Sequence, residues 1–251
     1  LEGRLNDVER ALAAVLADPR CTADVRALGP MAIKHHMMVI VSLALMQNET
    51  EIGQKYLRKL VELDPIVVEG DPCELVEFLL SELITDDSAD HEALLKNMFA
   101  QLPQDFAYLS EQCGWAVQRG FLWKGIRAVI WDRVEQGRAY FKRAAELKAV
   151  IDEALLQHTT YHLLGFEHER GSDATLKVLS NLRPFLNQLT NRGGDKLEGS
   201  YLVNRAFESY WVGEYKQVPG KVLRAWMRDF TYLSNRGVLS IFLRSLVRGL
   251  R

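Results

Sequence analysis

The sequence predicts an all-α protein built from a series of antiparallel helix pairs. Apolar residues recur mostly at spacings of three and four, which is the period of one helix face. Only seven of the 251 residues are proline, and the alternating pattern of β-branched residues that marks strands is almost absent. A short sequence motif that contains a glycine and a tyrosine recurs along the chain, which indicates stacked repeats.

The composition is typical of a folded, soluble protein. Apolar residues make up 48% and charged residues 25%, and the net charge of −2 gives no case for nucleic-acid binding. Cys21, Cys73 and Cys113 are far apart and form no CxxC motif, which favours a reducing, cytoplasmic location. No signal peptide or uninterrupted apolar run of about 20 residues is visible. Because the chain begins at Leu1, we expect it to be part of a longer protein.

Turn-forming residues separate the predicted helices. Breakers such as Asp64-Pro65 and Gly171-Ser172-Asp173 fall between segments of helical periodicity. The predicted helices span residues 2–17, 31–47, 50–63, 72–85, 89–101, 104–119, 122–135, 137–156, 157–170, 173–189, 198–212, 215–229 and 236–249. The most loop-like stretch, residues 191–195, predicts a boundary between helical repeats at 1–190 and a further helix pair with a capping helix at 191–251.

Charge is unevenly distributed along the chain. Residues 61–113 hold 13 acidic side chains and one basic one, whereas residues 114–251 hold 22 basic and 13 acidic side chains. This pattern predicts solvated faces of opposite sign. The alternative is a pair of surfaces of opposite potential that orient a partner or a neighbouring domain.

Internal repetition is the strongest signal. Residues 53–63 and 137–147 share glycine, tyrosine, glutamate and leucine in register, with an apolar residue and two basic residues after the tyrosine. Gly53 and Gly137 open these helices, so we expect the preceding helix to approach closely there. A weaker third copy spans residues 206–226 and includes Gly213-Glu214-Tyr215.

Residues 32–65 resemble a tetratricopeptide (TPR) repeat. They span 34 positions, end in Leu60-Val61-Glu62-Leu63-Asp64-Pro65, and place a small residue at Gly53 and an aromatic at Tyr56. The first helix departs from the pattern, since Met37, Ile40, Val41 and Ala44 replace the usual residues. The copies lie 84 and 81 residues apart, so the units between them must be irregular. The resemblance implies a TPR-like α-α superhelix whose concave groove binds a protein or peptide.

A second resemblance covers residues 226–247, which include Tyr232-Leu233-Ser234-Asn235-Arg236-Gly237-Val238-Leu239-Ser240. This run is similar to the end of the TPR tail that follows the catalytic domain of bacterial family-2 glycosyltransferases. The resemblance implies an accessory segment that positions the neighbouring catalytic domain, a partner or the acceptor. Nothing in this chain resembles the Asp-rich metal motifs of the catalytic domain, so the segment itself is expected to be non-enzymatic and to need no cofactor.

Three histidines predict an alternative metal site. His158, His162 and His168 have the spacing of the zinc ligands in metzincin proteases, and His158 and His162 share one helix face. Gly165 would let the chain turn so that His168 could complete the set. Thr159 occupies the position of that family's general-base glutamate, which removes the proton acceptor for water activation. Ordinary histidines of a repeat helix are the competing interpretation.

Aromatic and basic side chains are candidates for a ligand-binding groove, and core packing between helices is the alternative. The predicted binding residues are Trp115, Trp123, Arg127, Trp131, Tyr140, Arg143, Tyr210 and Trp211.

The last segment, residues 238–251, is amphipathic, with an apolar stripe of Leu239, Phe242, Leu243 and Leu246 and a basic edge of Arg244, Arg248 and Arg251. It predicts either a capping helix or a helix that lies on an anionic membrane surface.

Overall fold

The computed structural model describes residues 2–86 and 89–249. Among these residues the regular elements are helices, and the one β feature is an isolated bridge between Gly70 and Cys73. The all-α prediction is therefore confirmed. The chain divides into two compact units, residues 1–120 and 121–251.

The first unit contains α1 (Glu2–Ala17), α2 (Ala23–Ala27), α3 (Gly29–Met46), α4 (Thr50–Leu63), α5 (Glu74–Ile84) and α6 (His91–Ala100), with 3₁₀ helices at Pro65–Val68 and Gln104–Gln112. Helix α3 packs against α1, α2, α4, α5 and α6. Its Ile40, Val41 and Ala44 are fully buried, and Lys34 forms an ion pair with Asp64 at 2.7 Å. Among the described helices, α3 alone is long and apolar enough to cross a membrane by length and composition. Its packing makes it the core helix of this unit.

The division between the units falls inside α7 (Cys113–Ile130). The second unit continues with α8 (Val134–Glu146), α9 (Glu153–Arg170), α10 (Ser172–Leu189), α11 (Gly193–Trp211), α12 (Val218–Arg228), a 3₁₀ helix at Phe230–Ser234, and α13 (Arg236–Gly249). In this unit α8 contacts α10, and α9 contacts both α10 and α11. Helix α10 also contacts α11, α11 contacts α12 and α13, and α12 contacts α13. Helices in this unit therefore pack on the next helix or on the next but one.

Three helix pairs, α3–α4, α7–α8 and α11–α12, share one turn geometry. Asn48, Asp132 and Gly213 adopt left-handed backbone conformations, with φ of 61°, 59° and 85°. The following amide then donates to a carbonyl five residues earlier, which closes the helix end. These bonds join Glu49 to Ala44, Arg133 to Ala128 and Glu214 to Ser209, each at 2.8 Å. These three turns recur at the spacing of the three sequence copies, and the end of α8 at Lys148 has the same geometry outside them.

The first two pairs also share a close approach at glycine. A Cβ on Gly53 would lie 2.8 Å from the Leu45 side chain, and one on Gly137 would lie 2.7 Å from Val129. The expected close approach at these glycines is confirmed, because a larger residue would require the Leu45 or Val129 side chain to shift. The third pair has the buried Val218 at the corresponding position and lacks this contact.

Several predicted helix boundaries are wrong. The predicted helix 122–135 combines the end of α7 with the turn and the first two residues of α8, and the predicted break at residue 156 is absent because α9 begins at Glu153. Helix α8 ends earlier than expected, since Lys148 is left-handed and the Ala149 amide donates to the Ala144 carbonyl.

The predicted loop at residues 191–195 is mostly helix, because α11 begins at Gly193. A Cβ on Gly194 would lie 2.5 Å from the Cα of Arg183, so the glycine serves close packing of α11 on α10. The domain boundary predicted at residue 191 falls in this short turn, inside the second unit.

Candidate interaction surfaces

The second unit contains an open groove between α8 and α10. A cavity of ≈ 300 Å³ is lined by Arg138, Phe141, Lys142, Ala145, Phe185, Gln188 and Leu189. A second cavity of ≈ 240 Å³ shares Ala145, Gln188 and Leu189 and extends to Lys148 and Thr190. Because the two cavities share these three residues, they form one continuous surface, which we call the α8–α10 groove.

The floor of the α8–α10 groove is aromatic and its rim is basic. Phe141 and Phe185 are buried and stacked, with ring centroids 5.1 Å apart and an interplanar angle of 16°. The Arg138 guanidinium lies 5.6 Å from the Phe185 ring centroid. Arg138 forms an ion pair with Glu135 at 3.1 Å, so the positive charge at the rim is that of Lys142 and Lys148, which are exposed. The lining residues include no carboxylate. The groove therefore presents positive charge beside apolar surface.

Sequence reasoning missed the α8–α10 groove, because it singled out Tyr140 and Arg143 on α8. These two side chains lie on another side of the helix from Arg138 and Lys142. Tyr140 packs near Phe121 at a centroid distance of 6.4 Å. The only sequence signal for the groove was Lys142, one of the two basic residues inside the repeated phrase at 137–147, and a single lysine is typical of any solvated helix face.

A second cluster joins one predicted tryptophan to two of the predicted histidines. The ring centroid of Trp123 on α7 lies 4.5 Å from that of His158 and 5.8 Å from that of His162, both in edge-on geometry. The Nε2 atoms of the two histidines are 2.9 Å apart, a hydrogen-bonding distance that requires one imidazole to donate and the other to accept. Both histidines are exposed. The Trp123 ring packs α7 against α9, and the two imidazoles form an exposed polar edge beside it.

The third predicted metal ligand is not part of this cluster. The expected turn at Gly165 is wrong, because α9 runs without interruption from Glu153 to Arg170. His168 therefore lies about 240° around the helix from His162. Within residues 2–86 and 89–249, no group of three or more His, Cys, Asp or Glu side chains is arranged to hold a metal ion.

The remaining predicted binding residues are dispersed. Trp115 lies in the first unit, where the Arg119 guanidinium is 5.5 Å from its ring centroid. Trp131 is exposed in the turn after α7, and Arg127 is partly buried on α7. Arg143 pairs with Glu146 at 3.2 Å. The eight-residue spacing of the three tryptophans turns each one about 80° from the last, so they do not line one face.

Tyr210 and Trp211, the last two residues of α11, belong to an aromatic cluster. Tyr210 is buried and contacts both the exposed Trp211 and Tyr215, at centroid distances of 5.8 and 5.5 Å. The Arg248 guanidinium of α13 lies 5.1 Å from the Tyr215 ring centroid, and its Nη1 donates to the Tyr215 hydroxyl at 2.9 Å. This contact holds the end of α13 beside the start of α12.

A buried polar network joins α9, α11 and α12. The Tyr201 hydroxyl donates to Glu167 Oε2 at 2.6 Å, and Arg205 Nε lies 2.9 Å from the same oxygen. Burial, and then the hydrogen bond to Glu167, raises the pKa of Tyr201 above its ordinary value. Burial, and then the charge of Arg205, lowers the pKa of Lys221, whose Nζ donates to Ser209 Oγ at 2.6 Å. The network stabilises helix packing by satisfying buried polar groups.

Comparisons with known proteins identify no relative of this chain. No family model, curated protein or solved structure matches the chain.

Proposed function

We propose that the chain is a non-enzymatic, TPR-like interaction module. Two features support this architecture: the turn that recurs in α3–α4, α7–α8 and α11–α12, and, in the second unit, the packing of helices on the next helix or the next but one. A stack of helix pairs buries one face of each helix and leaves grooves between neighbouring helices. Such grooves bind extended or helical peptides.

The α8–α10 groove is the binding surface of this module, and its ligand is an acidic peptide with an apolar anchor residue. The observation that carries this assignment is the combination of the Phe141–Phe185 floor with a rim of Lys142 and Lys148. Carboxylates on the peptide would pair with the rim, because charge complementarity gives specificity and speeds association. An apolar side chain would pack in the groove against Ala145 and Leu189, above the buried phenylalanine rings.

Selection from a displayed peptide library tests this function. The expected winners combine acidic residues with an aromatic or leucine anchor. Lys142→Glu should weaken the binding of a selected peptide by about tenfold, since it replaces attraction with repulsion. Lys196→Glu, a matched charge reversal at an exposed residue of α11, should leave affinity unchanged. Failure to enrich such peptides, or equal effects of the two variants, would refute the assignment.

The narrower proposal is that this module is the accessory tail of a bacterial, cytoplasmic family-2 glycosyltransferase. It is supported by the run at residues 226–247 that resembles the end of such tails. In that setting the groove would hold an acidic segment of the catalytic domain or of a partner. The coding sequence upstream of Leu1 tests this proposal, because it must encode a nucleotide-sugar-binding domain.

Metal binding is the second candidate function, and the 2.9 Å separation of the His158 and His162 Nε2 atoms favours it. Two imidazoles at positions i and i+4 can chelate one transition-metal ion, with water or a partner supplying further ligands. Elemental analysis of protein purified without a histidine tag tests this function. Stoichiometric zinc that disappears in His162→Ala would support it, and its absence from wild-type protein would remove it.

A further inference from the structure

Helix α13 has two apolar faces, and only one of them is covered. Val238, Ile241 and Ser245 point into the second unit and are buried. Leu243, Leu246 and Val247 point outward, with 59%, 43% and 62% of their surface exposed.

The sequence had placed Phe242 on the same stripe as Leu243 and Leu246, but the structure separates them. Phe242 packs on Trp226 of α12, with ring centroids 4.9 Å apart. Part of the predicted stripe therefore remains uncovered. Two residues of the predicted segment, Leu250 and Arg251, lie outside the described residues.

The neighbouring helix contributes a second uncovered stripe. Leu223 and Met227 of α12 and Phe230 just after it are 48%, 65% and 62% exposed. Helices α12 and α13 run antiparallel, because a short 3₁₀ helix joins them and Arg248, near the end of α13, contacts Tyr215, just before α12.

Helix geometry puts the two stripes on the same side of this pair. Trp226 and Phe242 mark the seam between the helices. Around the axis of α12, Leu223 and Met227 lie about 60° and 100° from Trp226. Around the axis of α13, Leu243 lies about 100° from Phe242 in the same sense. In antiparallel helices the same sense of rotation leads to the same side, so the stripes adjoin. We call this surface the α12–α13 face.

The α12–α13 face lies in the most basic part of the chain. Residues 216–251 contain eight basic side chains and one acidic one, Asp229. The Asp229 carboxylate already accepts a hydrogen bond from the Thr231 amide at 3.0 Å. Arg224 on α12 and Arg244 on α13 are exposed beside the apolar stripes, whereas Arg248 on another side of α13 is held by Tyr215.

We propose that the α12–α13 face docks on an anionic membrane surface. Exposed leucine, methionine and phenylalanine side chains would enter the boundary between headgroups and acyl chains, while the arginines contact lipid phosphates and carboxylates. Helix α13 has 14 residues and is about 21 Å long, so it lies along the surface rather than spanning the bilayer. A second copy of this face is a poorer occupant, because a symmetric contact would bring like charges together.

Vesicle co-sedimentation at two salt concentrations tests this proposal. The whole chain should bind vesicles that contain phosphatidylserine, bind phosphatidylcholine vesicles weakly, and dissociate as salt is raised. Arg244→Gln should reduce the partition coefficient about fivefold, and Val247→Glu more than tenfold. Tyr161→Glu is the matched control, because it replaces another exposed apolar residue, on α9, and should bind like wild type. Circular dichroism would verify that each variant is folded.

Three results would overturn the proposal. These are no binding to anionic vesicles, binding that Arg244→Gln and Val247→Glu leave unchanged, and a wild-type dimer that Val247→Glu converts to monomer. The last result would assign the face to a second copy of the chain. Peptide binding through the α8–α10 groove is a separate property, so its failure would not affect this outcome.

Discussion

Substitution of Gly194 by alanine probes the packing of α11 on α10. An added Cβ would lie 2.5 Å from the Cα and 2.6 Å from the carbonyl oxygen of Arg183. Backbone atoms cannot rotate away, so one helix must move. Such overpacking costs up to about 3 kcal/mol. The shift also weakens the 2.8 Å hydrogen bond from the Gly194 amide to Asn187 Oδ1, which contributes about 1 kcal/mol.

Alanine has a higher helix propensity than glycine, which offsets about 1 kcal/mol of these costs. The net expectation is a loss of about 1–3 kcal/mol in the unfolding free energy of the second unit. Gly165→Ala is the matched control, because Gly165 lies inside α9 and an added Cβ would meet no atom within 4 Å. That variant should be more stable than wild type by about 0.4–1 kcal/mol.

Urea denaturation followed by tryptophan fluorescence measures both effects. Four of the five tryptophans, Trp123, Trp131, Trp211 and Trp226, belong to residues 121–251, so the signal reports mainly on the second unit. The midpoint should shift while the slope stays constant. If Gly194→Ala changed stability by less than about 0.5 kcal/mol, residues 191–195 would behave as a loop and the packing argument would be wrong.

Three further substitutions test other contacts by urea denaturation, followed by tryptophan fluorescence for the second unit and by circular dichroism for Gly120, which belongs to residues 1–120. Asp152→Ala should cost about 1 kcal/mol, because the carboxylate caps α9 by accepting from the Leu155 amide at 2.8 Å, and Asp152→Asn should recover most of the loss. Gly120→Ala should cost about 1–3 kcal/mol, since its Cβ would lie 2.4 Å from the buried His91 ring, and an unchanged midpoint would contradict that contact. Tyr201→Phe should cost about 1.5–3 kcal/mol at neutral pH, because it removes the hydrogen bond to the Glu167 carboxylate.

The Tyr201→Phe variant should also differ from wild type in how its stability depends on pH. The folded protein raises the pKa of Tyr201, so the protonated hydroxyl stabilises the native state. This contribution is complete below about pH 10, the ordinary tyrosine pKa, and is lost as pH rises above it. Wild-type protein should therefore lose stability between about pH 10 and 11 more steeply than Tyr201→Phe. Parallel curves for the two proteins would show that Tyr201 does not cause the alkaline loss.

Local sequence patterns predicted much of the helical framework. The predicted helices at 50–63 and 236–249 agree with Thr50–Leu63 and Arg236–Gly249, because amphipathic periodicity and turn residues are local signals. The repeated phrase located two equivalent close approaches at Gly53 and Gly137. The TPR assignment of these repeats remains a prediction.

Boundaries and sites were less predictable, because they depend on residues far apart in sequence. Gly193 and Gly194 signal a loop when read locally, yet they sit in a helix because α10 lies against them. Helical periodicity placed His158 and His162 together, but adding His168 required a turn that α9 does not make. Phe185 is about 44 positions from Phe141, so no local pattern could show that the two rings stack to form a groove floor.

Helical structure, the positions of most helices and the repeated turns depend on interactions over a few residues, so they could be predicted from the sequence. Which apolar faces are covered depends on helices that are far apart along the chain. Phe242 and Leu243 are adjacent and both apolar, yet one packs on Trp226 and the other faces solvent. A helix pattern specifies the direction of each side chain around its axis, whereas the neighbouring helices determine which directions are buried.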